Sequence, residues 1–122
     1  MHRVFKTKGF TTAAKKARIT DSELCKALQE VMEGKADDLG AGVWKKRLNE
    51  NRHRSIILAK GRSYWVYQFL FAKQDQTNIT LKELAAFKAL AKAYEGLSHE
   101  HIQLLVDQNE FVEICNEQKI QK

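Results

Sequence analysis

Apolar residues recur along the 122-residue chain with two different periods, and the change of period marks the architecture. Arg3-Val4-Phe5-Lys6-Thr7 alternates weakly and predicts a short first strand. Phe10, Ala13, Ala14 and Ala17 return at helical spacing and predict a short helix over about 10–18. Thr20-Asp21-Ser22-Glu23 reads as a capping box, in which the hydroxyl accepts from a free N–H and Glu23 reaches back to the cap. Leu24, Cys25, Leu28, Val31 and Met32 then form one stripe, and Gly34 is a natural stop. Residues 35–42 read as a loop.

Beyond that loop the period falls to 2. Strands are expected at Val43–Leu48, Arg54–Lys60 and Ser63–Phe71, with a hairpin around Gly61. Thr80-Leu81-Lys82-Glu83 is a second capping box. It opens a helix whose Leu81, Leu84, Ala85, Phe87, Ala91 and Tyr94 are expected to face inward, with Gly96 as its stop. Ser98 can cap a short helix carrying Ile102, Leu105 and Val106. Phe111–Cys115 predicts a last strand, and the tail from Asn116 is polar. The order β-α-α-β-β-β-α-α-β, with hairpin strands at its centre, implies an α+β fold. The expected arrangement is a small antiparallel sheet with an N-terminal helical pair and a C-terminal helix packed on one side of it, in two layers.

Composition narrows the class. The chain has no proline, which argues against a Pro-rich linker and for one domain over 1–122. No apolar run approaches the ~18 residues of a membrane span, and Met1–Lys6 has no signal-peptide core. Cys25 and Cys115 lie in different elements with no CxxC, and two buried thiols in a cytosolic protein are expected rather than a disulfide. His2, His53, His99 and His101 have no ligand-spaced partners, so no metal and no cofactor is expected.

The formal charge of +6 is unevenly spread. Residues 1–73 hold 16 Lys+Arg against 7 Asp+Glu, a net of +9, and residues 74–122 hold 5 against 8, a net of −3. Between Lys45 and Lys73, Lys45, Lys46, Arg47, Arg52, Arg54, Lys60, Arg62 and Lys73 face only Glu50, with Trp44, Tyr64, Trp65, Tyr67, Phe69 and Phe71 interleaved. Such a stretch fits phosphate contacts with base stacking, and equally a solvated charged face over an aromatic core. Strand alternation sharpens the choice. Lys45 and Arg47 point one way, and Trp44, Lys46 and Leu48 the other. With Arg54 opening the next strand and Lys73 closing the third, four cations can converge on one sheet face, where they need an anion such as a polyphosphate backbone.

At these residues the chain resembles a known family. Gly42-Val43-Trp44-Lys45-Lys46-Arg47-Leu48 is similar to the G-x-x-K-x-R strand of RelE/HigB-type toxins, of the RelE/ParE superfamily. Phe71-Ala72-Lys73-Gln74-Asp75-Gln76-Thr77-Asn78-Ile79 resembles their F-x-K-N-E-x-x-N-I segment. Val4–Lys8 and Glu110–Cys115 are similar to their ends. The resemblance implies a microbial-ribonuclease-like fold and a cytoplasmic toxin of a bacterial type II toxin–antitoxin module. Its partner would be a cognate antitoxin, of helix-turn-helix type, in a heterotetramer. The implied activity is metal-independent, ribosome-dependent cleavage of mRNA, by attack of a ribose 2′-OH on the adjacent phosphate. That reaction needs a base, cations for charge developing on phosphorus, and an acid for the departing 5′-oxygen. Lys45, Arg47, Arg54 and Lys73 fall on the family's basic positions and are the catalytic candidates. Lys46, Arg52, His53, Arg62, Tyr64 and Tyr67 are candidates for RNA contact, the tyrosines by stacking. One departure is visible. The family's G-K-x-G-G-x-R loop is replaced by the short Asn49-Glu50-Asn51-Arg52-His53-Arg54, which brings His53 to the same place as a possible acid or base. Two other functions share these features, namely nucleic-acid binding without cleavage and gyrase inhibition of the ParE kind.

Overall fold

A computed structural model describes residues 2–61 and 63–116. Arg62 and the tail beyond Asn116 lie outside the described residues. The elements run β1 (Arg3–Thr7), α1 (Lys8–Lys16), α2 (Asp21–Met32), β2 (Asp37–Gly40), β3 (Val43–Leu48), β4 (His53–Lys60), β5 (Tyr64–Ala72), α3 (Leu81–Glu95), α4 (His99–Asp107) and β6 (Phe111–Ile114). The class is α+β and the expected order holds, with one strand added. The segment 35–42, read as a loop, contains β2, which pairs antiparallel with β3 through Asp37–Lys45 and Asp38–Trp44. Two acidic residues and a glycine hide this strand from any β-propensity reading.

The sheet order is β2-β3-β4-β5-β1-β6. It is mixed rather than antiparallel, because β1 enters between β5 and β6 and runs parallel to β5. A tight turn marks sequential neighbours in a sequence, but nothing local marks a strand that arrives from the other end of the chain.

Nor do the helices share one side. The helices α1 and α2 cover Val4, Ile57, Ala59, Trp65 and Tyr67 on one face. On the other, α3 covers Val43, Ile56, Leu58 and Phe71, and α4 covers Phe5, Val66 and Phe111. The result is three layers. The central strand β4 shows why, since Arg54 to Ala59 are buried without a break, as a strand covered on both faces must be.

Caps behave as their chemistry dictates, with one instructive exception. Thr80 and Glu83 close the full reciprocal box at the start of α3. Thr20 accepts from the Glu23 N–H at 3.1 Å, but the Glu23 carboxylate does not return to the cap. It accepts instead from the backbone N–H of Asn49 at 2.6 Å, tying α2 to the β3–β4 turn. Leu81 is 87% exposed, because the first position of α3 projects beyond the sheet, and Ala85 is exposed as well. The hairpin joining β2 to β3 takes Gly40, Ala41 and Gly42 through positive φ. A Cβ on Gly42 would meet the Ala59 carbonyl oxygen at 2.9 Å. The glycine that opens the family-like strand motif is therefore a backbone requirement.

The cysteine expectation is overturned. Cys25, on the inner stripe of α2, and Cys115, just past β6, form a disulfide with Cα atoms 5.4 Å apart. The compartment argument had nothing to say about distance, and the fold brings the end of β6 against α2. The bond spans 90 positions of sequence, and closing a loop of that size in the unfolded chain stabilises by up to about 4–5 kcal/mol in the chain-entropy account. Reduction, or Cys115→Ser, should therefore lower the urea midpoint, with a loss of about 2–4 kcal/mol. Coincident unfolding curves with and without reductant would contradict this.

Candidate nucleic-acid interface

The antiparallel register of β3 and β4 builds the site. Val43 pairs with Leu58, Lys45 with Ile56, and Arg47 with Arg54. The first two rows fix the face. Val43, Ile56 and Leu58 lie under α3, so Lys45, Arg47 and Arg54 continue that face past the helix. Directly opposed residues of an antiparallel pair stand about 5 Å apart. The register thus sets two guanidinium-bearing residues side by side, with Lys45 about 7 Å further along.

The short turn before Arg54 is built from Asn49, Glu50 and Asn51, all at positive φ (55°, 55° and 72°). Asparagine tolerates this region better than most side chains, and the Glu23 carboxylate holds the first N–H of the turn. The turn's carbonyls then hold the arginine. Arg54 donates from Nη1 to the carbonyls of Asn51 at 3.0 Å and of His53 at 3.2 Å. It is only 8% exposed, yet pairs with no carboxylate among the described residues. Arg47 is exposed, and its side chain has no hydrogen bond or ion pair among those residues. Lys45 is tethered on two sides, by Asn78 Oδ1 at 3.2 Å and Asp37 Oδ2 at 3.6 Å. Lys73 is exposed just past β5, and its N–H donates to the Arg52 carbonyl at 2.9 Å, which fixes it beside the turn.

The remaining candidates disperse. Lys46 lies on the opposite face, bound to Glu30 at 2.8 Å and to the Lys35 carbonyl at 3.0 Å. That hydrogen bond holds the Glu30 carboxyl below its usual range. Arg52 stays at the turn, on Glu50 and Asn49. His53 starts β4 on the face opposite Arg54, with its Nδ1 3.1 Å from Asn49 Nδ2, so alternation separates it from the cationic row. Tyr64 sits at the far end of β5, seven residues or roughly 23 Å from Phe71, which pairs with Arg54. There its hydroxyl meets His99 Nδ1 at 3.0 Å. Tyr67 is corrected outright as a base platform. It is fully buried against Phe10, its hydroxyl donates to the Leu24 carbonyl at 2.7 Å, and burial pushes its phenol well above the usual value. Arg62 lies outside the described residues.

Three residues of the site had no role in the sequence reading. Glu23 looked like a cap partner, Asp37 like a loop residue. Asn78 stood only as one letter of the family-like segment Phe71–Ile79. It caps the Ile79 N–H at 2.9 Å while accepting from Lys45, and so pins the β5–α3 connection to β3. The finished arrangement is a shallow cationic face with two geometrically fixed members, Arg54 and Lys45, and two free ones, Arg47 and Lys73. It can hold a phosphate between planar guanidiniums and flanking ammoniums.

The row thus lies on one face of a small three-layer α+β domain. The family model described as the RelE toxin of the RelE/RelB toxin–antitoxin system matches residues 2–114. The chain belongs to this family, and is a toxin of a toxin–antitoxin system. No curated protein and no solved structure matches it. No helix among the described residues is long and apolar enough to cross a membrane.

Two outcomes follow from the geometry. Directly opposed like charges destabilise a sheet, so Arg47→Gln should raise unfolding stability by about 0.5–1 kcal/mol in low-salt urea titrations; a loss of stability would mean that Arg47 has an unseen partner. Tyr67→Phe should cost about 0.5–1.5 kcal/mol by removing the buried hydrogen bond to the Leu24 carbonyl, while RNA affinity stays the same. A drop in affinity with stability intact would reinstate Tyr67 as a stacking residue.

Proposed function

We propose that this toxin is an endoribonuclease that cleaves mRNA on the ribosome and so stops translation. The observation that supports this best is the cationic row on one sheet face, in which Lys45 meets Asp37 while Arg54 is held by backbone carbonyls rather than by a carboxylate. A guanidinium fixed in this way spends none of its charge on the protein and meets a phosphate already oriented. In this reading Arg47 and Arg54 bind the scissile phosphate and take the charge that develops on its oxygens as the 2′-OH attacks. Lys45 and Lys73 flank them. They are the two members of the row able to exchange a proton, since arginine stays charged throughout. Lys45 is positioned by Asn78 and Asp37. Arg52, on the adjoining turn, contacts flanking phosphates.

The reading extends to partners. A cognate antitoxin of helix-turn-helix type neutralises the toxin by laying acidic residues over the row or by blocking ribosome entry, in a heterotetramer. Both act in the cytoplasm, where translating ribosomes are.

Induction of the wild-type chain should halt growth and translation, and primer extension on cellular mRNA should show new 5′ ends. Lys45→Ala/Arg54→Ala/Lys73→Ala should abolish both effects, and Arg54→Ala alone should slow cleavage by about 10²-fold or more. Equal toxicity of the wild type and the triple variant would remove the proposed site. Salt-dependent RNA binding with the mRNA intact would replace cleavage by binding, and cleaved DNA with intact mRNA would point to a gyrase inhibitor.

A further inference from the structure

The start of α2 breaks a rule that the two later helices keep. Helices α2, α3 and α4 each begin on a hydroxyl residue, Thr20, Thr80 or Ser98, with a polar side chain three positions on. In α3 and α4 that side chain, Glu83 or His101, returns to the backbone N–H of the cap and closes the box. Glu23 holds the same place in α2 and gives up that bond. Its carboxylate accepts from the Asn49 N–H at 2.6 Å, 26 positions away. A residue that departs from its local preference in this way is expected where it serves a site.

The bond reaches a turn whose other polar groups lead to the arginine. The Asn49 carbonyl accepts from the Arg52 N–H at 3.1 Å, and the Arg52 carbonyl from the Lys73 N–H at 2.9 Å. The carbonyls of Asn51 and His53 accept from Arg54 Nη1. Asn49, Glu50 and Asn51 are all left-handed, so no ladder of regular structure supports them. Among the described residues, Glu23 makes the one hydrogen bond from a helix to this turn. A carboxylate on a backbone N–H is roughly twice as strong as a neutral acceptor. The helix α2 lies against the face opposite the cationic row, so Glu23 reaches Arg54 through the turn and from behind the sheet. Its own charge would repel a phosphate, which sets it apart from the groups that bind one.

We propose that Glu23 is a positioning residue for Arg54. By fixing the Asn49 N–H it sets the turn whose carbonyls aim the guanidinium at a phosphate. The role rests on the reading of the cationic row as an RNA-binding face. The sign of its effect is diagnostic. Removing a negative charge from a protein that binds a polyanion ordinarily tightens binding, whereas removing this one loosens it.

Affinity for a short fluorescein-labelled single-stranded RNA, read by anisotropy at fixed salt and below each variant's urea transition, tests the role. Glu23→Ala should weaken binding on the order of tenfold. Glu23→Gln, whose amide oxygen can accept the same N–H, should recover most of that loss. In an Arg54→Ala background Glu23→Ala should change little, because the group it positions is gone. Binding by Glu23→Ala as tight as the wild type or tighter, equal damage from alanine and glutamine, or the same loss with and without Arg54 would each overturn the role. A second readout needs no RNA. The Arg54 Nε–H NMR signal should shift in Glu23→Ala and stay near its wild-type position in Glu23→Gln, and an unmoved signal in Glu23→Ala would also overturn the role. Neither readout involves cleavage. A chain that shows these effects and leaves RNA intact keeps Glu23 in its role and removes only the ribonuclease reading.

Discussion

Arg47 and Arg54 face each other across β3 and β4, and the rest of the domain is organised to impose that contact. Left alone, two guanidiniums would separate. The register prevents it, because a slip of one residue would turn Val43, Ile56 and Leu58 away from α3 and Trp44 and Ile57 away from α2. The apolar rows therefore hold the charged row in place. The three left-handed residues of the turn add a second constraint, and the Glu23 carboxylate on the Asn49 N–H a third. Register, turn and clamp together fix the two arginines at directly opposed positions of β3 and β4.

The same alternation explains how one basic run serves two purposes. Lys45, Lys46 and Arg47 are consecutive, yet Lys46 faces α2 and is spent on Glu30 and on the Lys35 carbonyl. It secures the helix to the sheet, while its neighbours stay available on the other face. Charge separates along the strands too. The cationic row occupies the end of β3 and β4 near their turn, and the carboxylates of Glu33, Asp38 and Glu95 gather toward the other end, where α2 and α3 terminate.

Much of this was legible in the sequence wherever a local pattern carried it. The caps at Thr20, Thr80 and Ser98 and the period change at Val43 located the helices and the central strands. Lys45 and Arg47 sharing a face followed from alternation alone. What escaped was non-local. The parallel entry of β1 beside β5 and the meeting of Cys25 with Cys115 depend on contacts between distant parts of the chain. The second helical layer was in fact signalled, by the unbroken Ile56-Ile57-Leu58 run, which a sheet with one wet face would have interrupted with a polar residue. Tyr67 shows the converse error, in which an aromatic residue near basic ones was read by its neighbours in sequence, although its own strand position turns it into the core. Glu23 was misread because a capping glutamate and a turn clamp look identical until the turn is placed.

The short β3–β4 turn carries the last consequence. Related toxins are expected to place a glycine-rich loop before the arginine strand, and here three non-glycine residues adopt the left-handed conformation instead. Such residues cost of order 1 kcal/mol each, so the turn persists only because its surroundings determine it. Those surroundings are the ones that orient Arg54. Asn49 donates its N–H to Glu23, Asn51 and His53 offer their carbonyls to the guanidinium, and the Arg52 carbonyl accepts from the Lys73 N–H. This turn already has its carbonyls in place, and so exchanges adaptability for a fixed cation. The same division runs through the row, where the Arg54 and Lys45 side chains are held while those of Arg47 and Lys73 have no hydrogen bond or ion pair among the described residues.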